Sequence, residues 1–396
     1  MPRAQSRRSL RDLCTLRDEL CSQRRAHTYP DPPHSEIRCP GGTGFVVYFA
    51  RFDDNSAHPL LTMPSRFVDL TDGVAMIVSD LHGDRDAFDR YVARFHTLYT
   101  SGAAQRLIFL GDLIHAYGPP YQDHSLSILL DVMALRERYG PQTVMALLGN
   151  HEMPHIYGIS LAKGEFEFTP RFEHALGRHR ERVWSFLNDL PFYVRTAAGV
   201  LLGHAGPAIE VIGHVALLRD FDHHQVLAEA DALLASAGDL TPYYERYRQV
   251  YGASYQEDAR HYLAVRGPDD PRYPHLLRGT LIAQRSREFA VLWDALFTQN
   301  ELGLTEYTYV QQVREFLAAF SEDAPAPQRV MVSGHIVTPL GGYVLVNRYH
   351  LRLSSAAHAR PREAGRYLLL DCAQPIYAAN ELLPHLHTVF EDELED

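Results

Sequence analysis

Apolar and polar positions recur along residues 74–148 in one order: a short apolar run, a glycine-bearing polar loop, then a stretch with helical spacing. Val74-Ala-Met-Ile-Val78 leads into Ser79-Asp-Leu-His-Gly-Asp84, after which Phe88, Tyr91, Val92 and Phe95 fall on one helix face. This predicts a strand over 74–79 and a helix from about 85 to 99. Strands at 106–110 and 143–148 with a helix at 124–138 repeat the pattern, and such alternation predicts βαβ units with parallel pairs. A helix near 175–189 precedes two runs, 192–195 and 199–202, spaced like a hairpin. Residues 211–325 are mostly helical and Tyr-rich. Beyond Asp323-Ala-Pro-Ala-Pro327, strands are expected at 329–333, 343–347, 350–353, 366–370 and 386–390, with the run from 342 to 390 antiparallel. The fold class is therefore α/β, with two sheets face to face and helices outside.

Before this region, Leu10, Leu13 and Leu20 predict an amphipathic helix over 9–25, and Tyr29-Pro-Asp-Pro-Pro33 reads as a linker ahead of a strand at 44–50. Phe67-Val-Asp-Leu70 closes an N-terminal extension of residues 1–70. The main domain is expected over 71–390, with a helical insertion at about 211–325 and an acidic tail at 391–396.

Composition narrows the partners. The 396 residues are 46% hydrophobic, enough for a large core, and the net charge of −11 argues against general nucleic-acid binding. Cys14, Cys21, Cys39 and Cys372 are too scattered for a disulfide framework, so a reducing, cytoplasmic setting is expected. No apolar run approaches the roughly 18 residues of a membrane span, so no membrane association is expected. The Arg-rich N-terminus carries Asp12, Asp18 and Glu19 and lacks the apolar core of a secretory signal.

The chemistry concentrates at strand ends. Asp80 and His82, one residue apart after the first strand, would project to the same side and form half of a metal site, with Gly83 letting the chain turn close by. Four more apolar strands end in the same way, at Gly111-Asp112, Gly149-Asn-His-Glu152, Gly203-His-Ala-Gly206 and Ser333-Gly-His335. An Asp or His at one strand end usually caps a turn. Five in succession point to a shared site at the carboxyl ends of the strands, where open α/β sheets bind ligands.

With these segments in view, the chain resembles the calcineurin-like metallophosphoesterases, and within them the serine/threonine phosphoprotein phosphatase branch. The family's GDxHG, GDxVDRG, GNHE and HGG-like segments and its late histidine correspond to Ser79–Gly83, Gly111–Gly118, Gly149–Glu152, Gly203–Gly206 and Ser333–His335, spanning roughly residues 73–355. The resemblance implies a two-sheet βαβ sandwich. It also implies that Asp80, His82 and Asp112 hold one divalent metal, and that Asp112 shares a second with Asn150, His204 and His335. His151 would protonate the leaving oxygen.

A phosphate ester resists attack because its oxygens are negative. Two metals about 3.5–4 Å apart would neutralise them and supply a bridging hydroxide at neutral pH, while a His near its ordinary pKa serves as acid. The mixed oxygen and imidazole donors suit Mn²⁺, Fe or Zn²⁺. The family's Asp that orients the catalytic His and its phosphate-clamping Arg are here His115 and Ala116; a second clamp position aligns with Leu302. Arg85, following the first motif, and a protonated His115 are the candidate substrate contacts, with Arg278, Arg285 and Arg287 as further cations. The leading expectation is a phosphomonoesterase acting on a phosphoprotein or a small phosphoester. A phosphodiesterase or dinucleoside-polyphosphate hydrolase is the alternative enzyme, and a metal-binding pseudophosphatase scaffold the non-enzymatic one.

Overall fold

The computed structural model describes residues 65–163, 166–298 and 304–390. The expected helix at 9–25, strand at 44–50, Leu302 and the acidic tail lie outside the described residues.

Strand β2 (Val74–Val78) shows how the sequence builds the layers. Ala75 and Ile77 point into an apolar layer shared with Val200, Leu202, Val330, Val332, Leu351 and Leu353 of the opposite sheet. Met76 and Val78 point the other way, onto Phe88, Tyr91 and Phe95 of the helix Arg85–Thr100. Both faces are covered, so the strand is continuously apolar rather than alternating. Asp84 caps that helix, its side chain accepting from the Ala87 amide at 3.0 Å.

Two mixed sheets face each other across this layer. One has the order β1 (Phe67–Leu70), β7 (Tyr193–Thr196), β8 (Val200–Gly203), β9 (Val330–Ser333), β11 (His350–Leu353), β10 (Tyr343–Asn347), the other β13 (Leu386–Thr388), β12 (Arg366–Asp371), β2, β3 (Arg106–Phe109), β4 (Val144–Ala146). In the second, β2, β3 (Arg106–Phe109) and β4 (Val144–Ala146) run parallel, and β12 (Arg366–Asp371) and β13 (Leu386–Thr388) pair antiparallel at one edge. In the first, β7 (Tyr193–Thr196) and β8 (Val200–Gly203) form the expected hairpin, and β8, β9 (Val330–Ser333) and β11 (His350–Leu353) run parallel. Strand β10 (Tyr343–Asn347) pairs antiparallel with β11.

Three expectations change. The run from 342 to 390 is antiparallel only within its pairs: β10–β11 and β12–β13 lie in different sheets, and β11 also takes a parallel place beside β9. Strand β1 (Phe67–Leu70), read as part of the N-terminal extension, pairs in parallel with β7. The helix near 175–189 is two helices, Phe168–Leu176 and Arg180–Asn188, separated where Gly177 takes φ 45°. The described residues from 209 to 298 and from 304 to 319 are mostly helical, as expected, with a two-stranded hairpin of β5 (Ala162–Lys163) and β6 (Phe166–Glu167) ahead of them.

Register decides which loops meet. Val78 pairs with Phe109, so the segments beginning at Ser79 and Leu110 leave their sheet side by side. Gly203 pairs with Ser333, and Ser333 with Arg352, so three loops leave the opposing sheet together.

Candidate metal centre

The loops following β2, β3, β4, β8 and β9 converge at one end of the sandwich, as the strand-end reasoning expects. They are held by backbone and carboxylate contacts. The amides of Leu81 and His82 both donate to the Asp112 carbonyl at 2.9 Å. The Glu152 carboxylate accepts from the amides of Asp112 (2.9 Å), Leu113 (2.8 Å), Gly149 (3.1 Å) and Ile114 (3.3 Å), locking the second loop to the third. Two glycines are required by proximity. A Cβ on Gly149 would strike the Asp112 amide, and one on Gly334 would strike the Asp80 carboxylate. Six described non-glycine residues have positive φ, and four of them are His82, Asp112, His115 and His335. Such backbone is costly for side chains with a Cβ, and its concentration here marks a site held in shape by its surroundings.

Asp112 lies at the centre and is 1% exposed. Its Oδ2 is 3.5 Å from His204 Nε2, 3.7 Å from His82 Nε2 and 4.0 Å from His151 Nε2. These separations are too long for hydrogen bonds. The first two match ligands of one cation, since donors about 2.1 Å from a tetrahedral ion lie roughly 3.4 Å apart. Asn150 Oδ1 is 2.8 Å from His204 Nε2 and 2.9 Å from His335 Nδ1.

The ring tautomers make the arrangement diagnostic. His204 Nδ1–H donates to the Leu110 carbonyl at 3.0 Å, and His82 Nδ1–H to the Ile114 carbonyl at 3.2 Å. Each neutral ring therefore turns the Nε2 lone pair inward. His204 Nε2 and Asn150 Oδ1 are then both acceptors, and neither can donate to the other. Acceptors gathered without donors fit a bound cation.

A further histidine completes the first side. His358, 4% exposed, comes from the segment after β11 and places its Nε2 3.0 Å from His82 Nε2. Its Nδ1 lies 3.4 Å from Asp80 Oδ1 and has no hydrogen-bond partner despite burial. Asp80, His82 and His358 form one potential metal-binding group and Asp112, His204 and His335 another. Sequence reasoning missed His358, although it follows an apolar strand just as the other site residues do.

The family-model comparison now bears on this geometry: the model for calcineurin-like phosphoesterases matches residues 74–273. The chain belongs to that family. No curated protein sequence matches it. Among solved structures it is similar to a protein serine/threonine phosphatase from Saccharomyces cerevisiae with similarity to human phosphatase PP5, at 13% identity over 82% of each chain with a TM-score of 0.44. It is also similar to a cold-active protein tyrosine phosphatase, at 15% identity over 77% of each chain (TM-score 0.41). A metallophosphoesterase from Sphaerobacter thermophilus shares 13% identity over 79% of this chain and 91% of its own (TM-score 0.30).

The phosphoesterase is thus a phosphoric ester hydrolase with buried charge at its centre. Burial, with Glu152 and Asp80 nearby, pushes the Asp112 carboxyl well above the usual carboxylate range. Burial would also raise Asp80, but His358, His204, His82 and the Ser79 hydroxyl outweigh it and hold its carboxyl below that range. Burial and the adjacent His358 push the His82 ring down to about 3. Three buried carboxylates among neutral imidazoles form a site that divalent cations would stabilise.

The site opens into a cavity of about 610 Å³ lined by His82, Arg85, Ala116, Tyr117 and Tyr121. Arg85 borders it but is bound to Asp89 and Asp131. His115 is 1% exposed and sits behind His151, its Nδ1 3.0 Å from His151 Nδ1, in the orienting position rather than facing the cavity. Of the inserted arginines, Arg278 pairs with Asp231 and Arg287 with His214. Lys163 of β5 was not anticipated. Its ammonium lies 3.4 Å from the Tyr117 hydroxyl and 5.2 Å from that ring's centre, and its charge reaches Asp112 and His358. Among the described residues no helix is long and apolar enough to cross a membrane.

Proposed function

We propose that the phosphoesterase is a two-metal phosphomonoesterase, with His151 as general acid. The observation that carries this reading is the gathering of carboxylate, amide and imidazole acceptors on two sides of Asp112. Asp80, His82 and His358 with Asp112 would hold one ion; Asn150, His204 and His335 with Asp112 would hold the other. The mixed oxygen and nitrogen donors favour Mn²⁺, Fe or Zn²⁺ over Ca²⁺. When bound, such a pair supplies charge neutralisation at the phosphoryl oxygens and acidifies the attacking water.

The chain's own groups account for the rest. The His151 amide donates to Asp112 Oδ1 at 2.9 Å, tying the acid to the centre of the site. The His151 ring, 6% exposed, turns its Nε2 toward the same carboxylate, where a leaving oxygen would need a proton. Lys163, packed against Tyr117 of the cavity wall, is the cation we assign to the phosphate in place of the missing Arg at Ala116. A lysine ammonium offers a point charge rather than the planar fork of Arg, so ground-state binding should be weaker.

The test is a panel of aryl and alkyl monoesters, diesters and polyphosphates, assayed with Mn²⁺ and with chelator, beside elemental analysis. Chelator-sensitive turnover of monoesters with two ions per chain is expected. Faster turnover of diesters or polyphosphates, or no turnover with metal bound, would replace the reading by the phosphodiesterase or the scaffold.

A further inference from the structure

Behind His151 runs an unbroken line of buried polar side chains. His151 Nδ1 is 3.0 Å from His115 Nδ1, and His115 Nε2 is 2.8 Å from His155 Nε2. His155 Nδ1 is 2.7 Å from Glu173 Oε1. Arg180 completes the line, one guanidinium nitrogen on the Glu173 carboxylate and another 2.6 Å from its carbonyl oxygen. His115, His151, His155 and Glu173 are all between 1% and 7% exposed. The His115 ring is clamped between Phe168, stacked at 5.1 Å, and the edge of Phe172 at 5.9 Å. Its amide donates to Ser125 Oγ at 2.7 Å.

The direction of every bond follows from the carboxylate. An ionised carboxylate only accepts, so His155 Nδ1 carries a proton and its neutral ring accepts at Nε2. His115 must then donate from Nε2 and accept at Nδ1, which requires His151 to donate from Nδ1. One carboxylate, three side chains away, thereby leaves His151 Nε2 as the atom that exchanges a proton with substrate.

We infer that Glu173, His155 and His115 are positioning residues forming a relay that sets the tautomer of His151. This inference rests on the reading of His151 as the acid.

Two measurements test the relay. Nitrogen-15 NMR of the metal-free protein should show His151 protonated at Nδ1, His115 at Nε2 and His155 at Nδ1 when the chain is neutral; His151 found unprotonated at Nδ1 overturns the inference, whatever its role in catalysis. In kinetics, Glu173→Gln should lower kcat about 10- to 100-fold on alkyl phosphates and much less on nitrophenyl phosphate, with metal content unchanged. Adding His115→Asp supplies a carboxylate directly to His151 Nδ1, and the double variant should regain the activity of His115→Asp alone. Equal losses across leaving groups, or no rescue by Asp at 115, would make Glu173 merely structural. Loss of the leaving-group effect in His151→Asn itself would instead overturn the acid assignment, which the NMR result does not touch.

Discussion

The Nε2 atoms of His82 and His358 face each other at 3.0 Å, although the two residues are separated by 276 positions and come from opposite sheets. His82 already donates from Nδ1 to the Ile114 carbonyl, so its Nε2 is an acceptor. His358 can satisfy it only by donating from Nε2, which leaves a lone pair on Nδ1 3.4 Å from the Asp80 carboxylate. A cation shared by Asp80, His82 and His358 removes the conflict.

Replacing His358 with Ala should therefore weaken one of two metal sites by about 10- to 100-fold while sparing the other, the scale of loss seen when groups supporting a metal site are removed. Asp112→Asn should weaken both. Isothermal titration with Mn²⁺ reads the two sites separately, and unchanged binding in His358→Ala would exclude it as a ligand.

His151→Asn should lower kcat by roughly 10²–10⁴ with metal content intact. The loss should be smallest for nitrophenyl phosphate, whose leaving group needs no proton. A parallel fall in metal content would make His151 a ligand.

Lys163→Ala should raise KM on phosphomonoesters by about tenfold with a smaller effect on kcat, because an exposed ammonium beside Tyr117 of the cavity wall acts chiefly on ground-state binding. Lys163→Arg should retain most of the affinity. Equal kinetics for Lys163→Ala and the unaltered protein would place the phosphate contact elsewhere.

Acid should destabilise the metal-free protein early. Burial, then Arg278 and Arg272, push His275 down to about 3 from the ordinary histidine value of about 6.5, and His82 is pushed equally low. Both are depressed on folding, so the unfolded chain binds the extra protons. Stability is full above about pH 6.5 and falls as pH drops toward 3, by up to about 1.4 kcal/mol per pH unit for each such His. His275→Gln should flatten urea-derived stability against pH over this window. An unaltered slope would show that His275 titrates normally in the folded state.

Local order was legible in the sequence because it depends on neighbours along the chain. The period of apolar residues marks β2, β3 and β4 and the helices between them, and a strand that ends in glycine with Asp, Asn or His exposes that side chain at the sheet edge. Asp80, His82, Asp112, Asn150, His204 and His335 all follow this rule and meet in space. His358 follows β11 with no glycine among residues 354–358, so the rule passes it over, and only the placing of β11 beside β9 brings it across to Asp80. Tertiary structure alone decided the contacts whose partners come from other elements. Arg85 lies near the first motif in sequence, yet Asp131 from the next helix binds it. His115 aligns with a carboxylate position, yet the carboxylate serving it is Glu173, one imidazole away through His155, on a helix that the sequence pattern began seven residues too late. Periodicity records which face of an element is buried. Which side chains of two buried faces touch depends on strand order, register and helix crossing, and those are set only when the whole core closes.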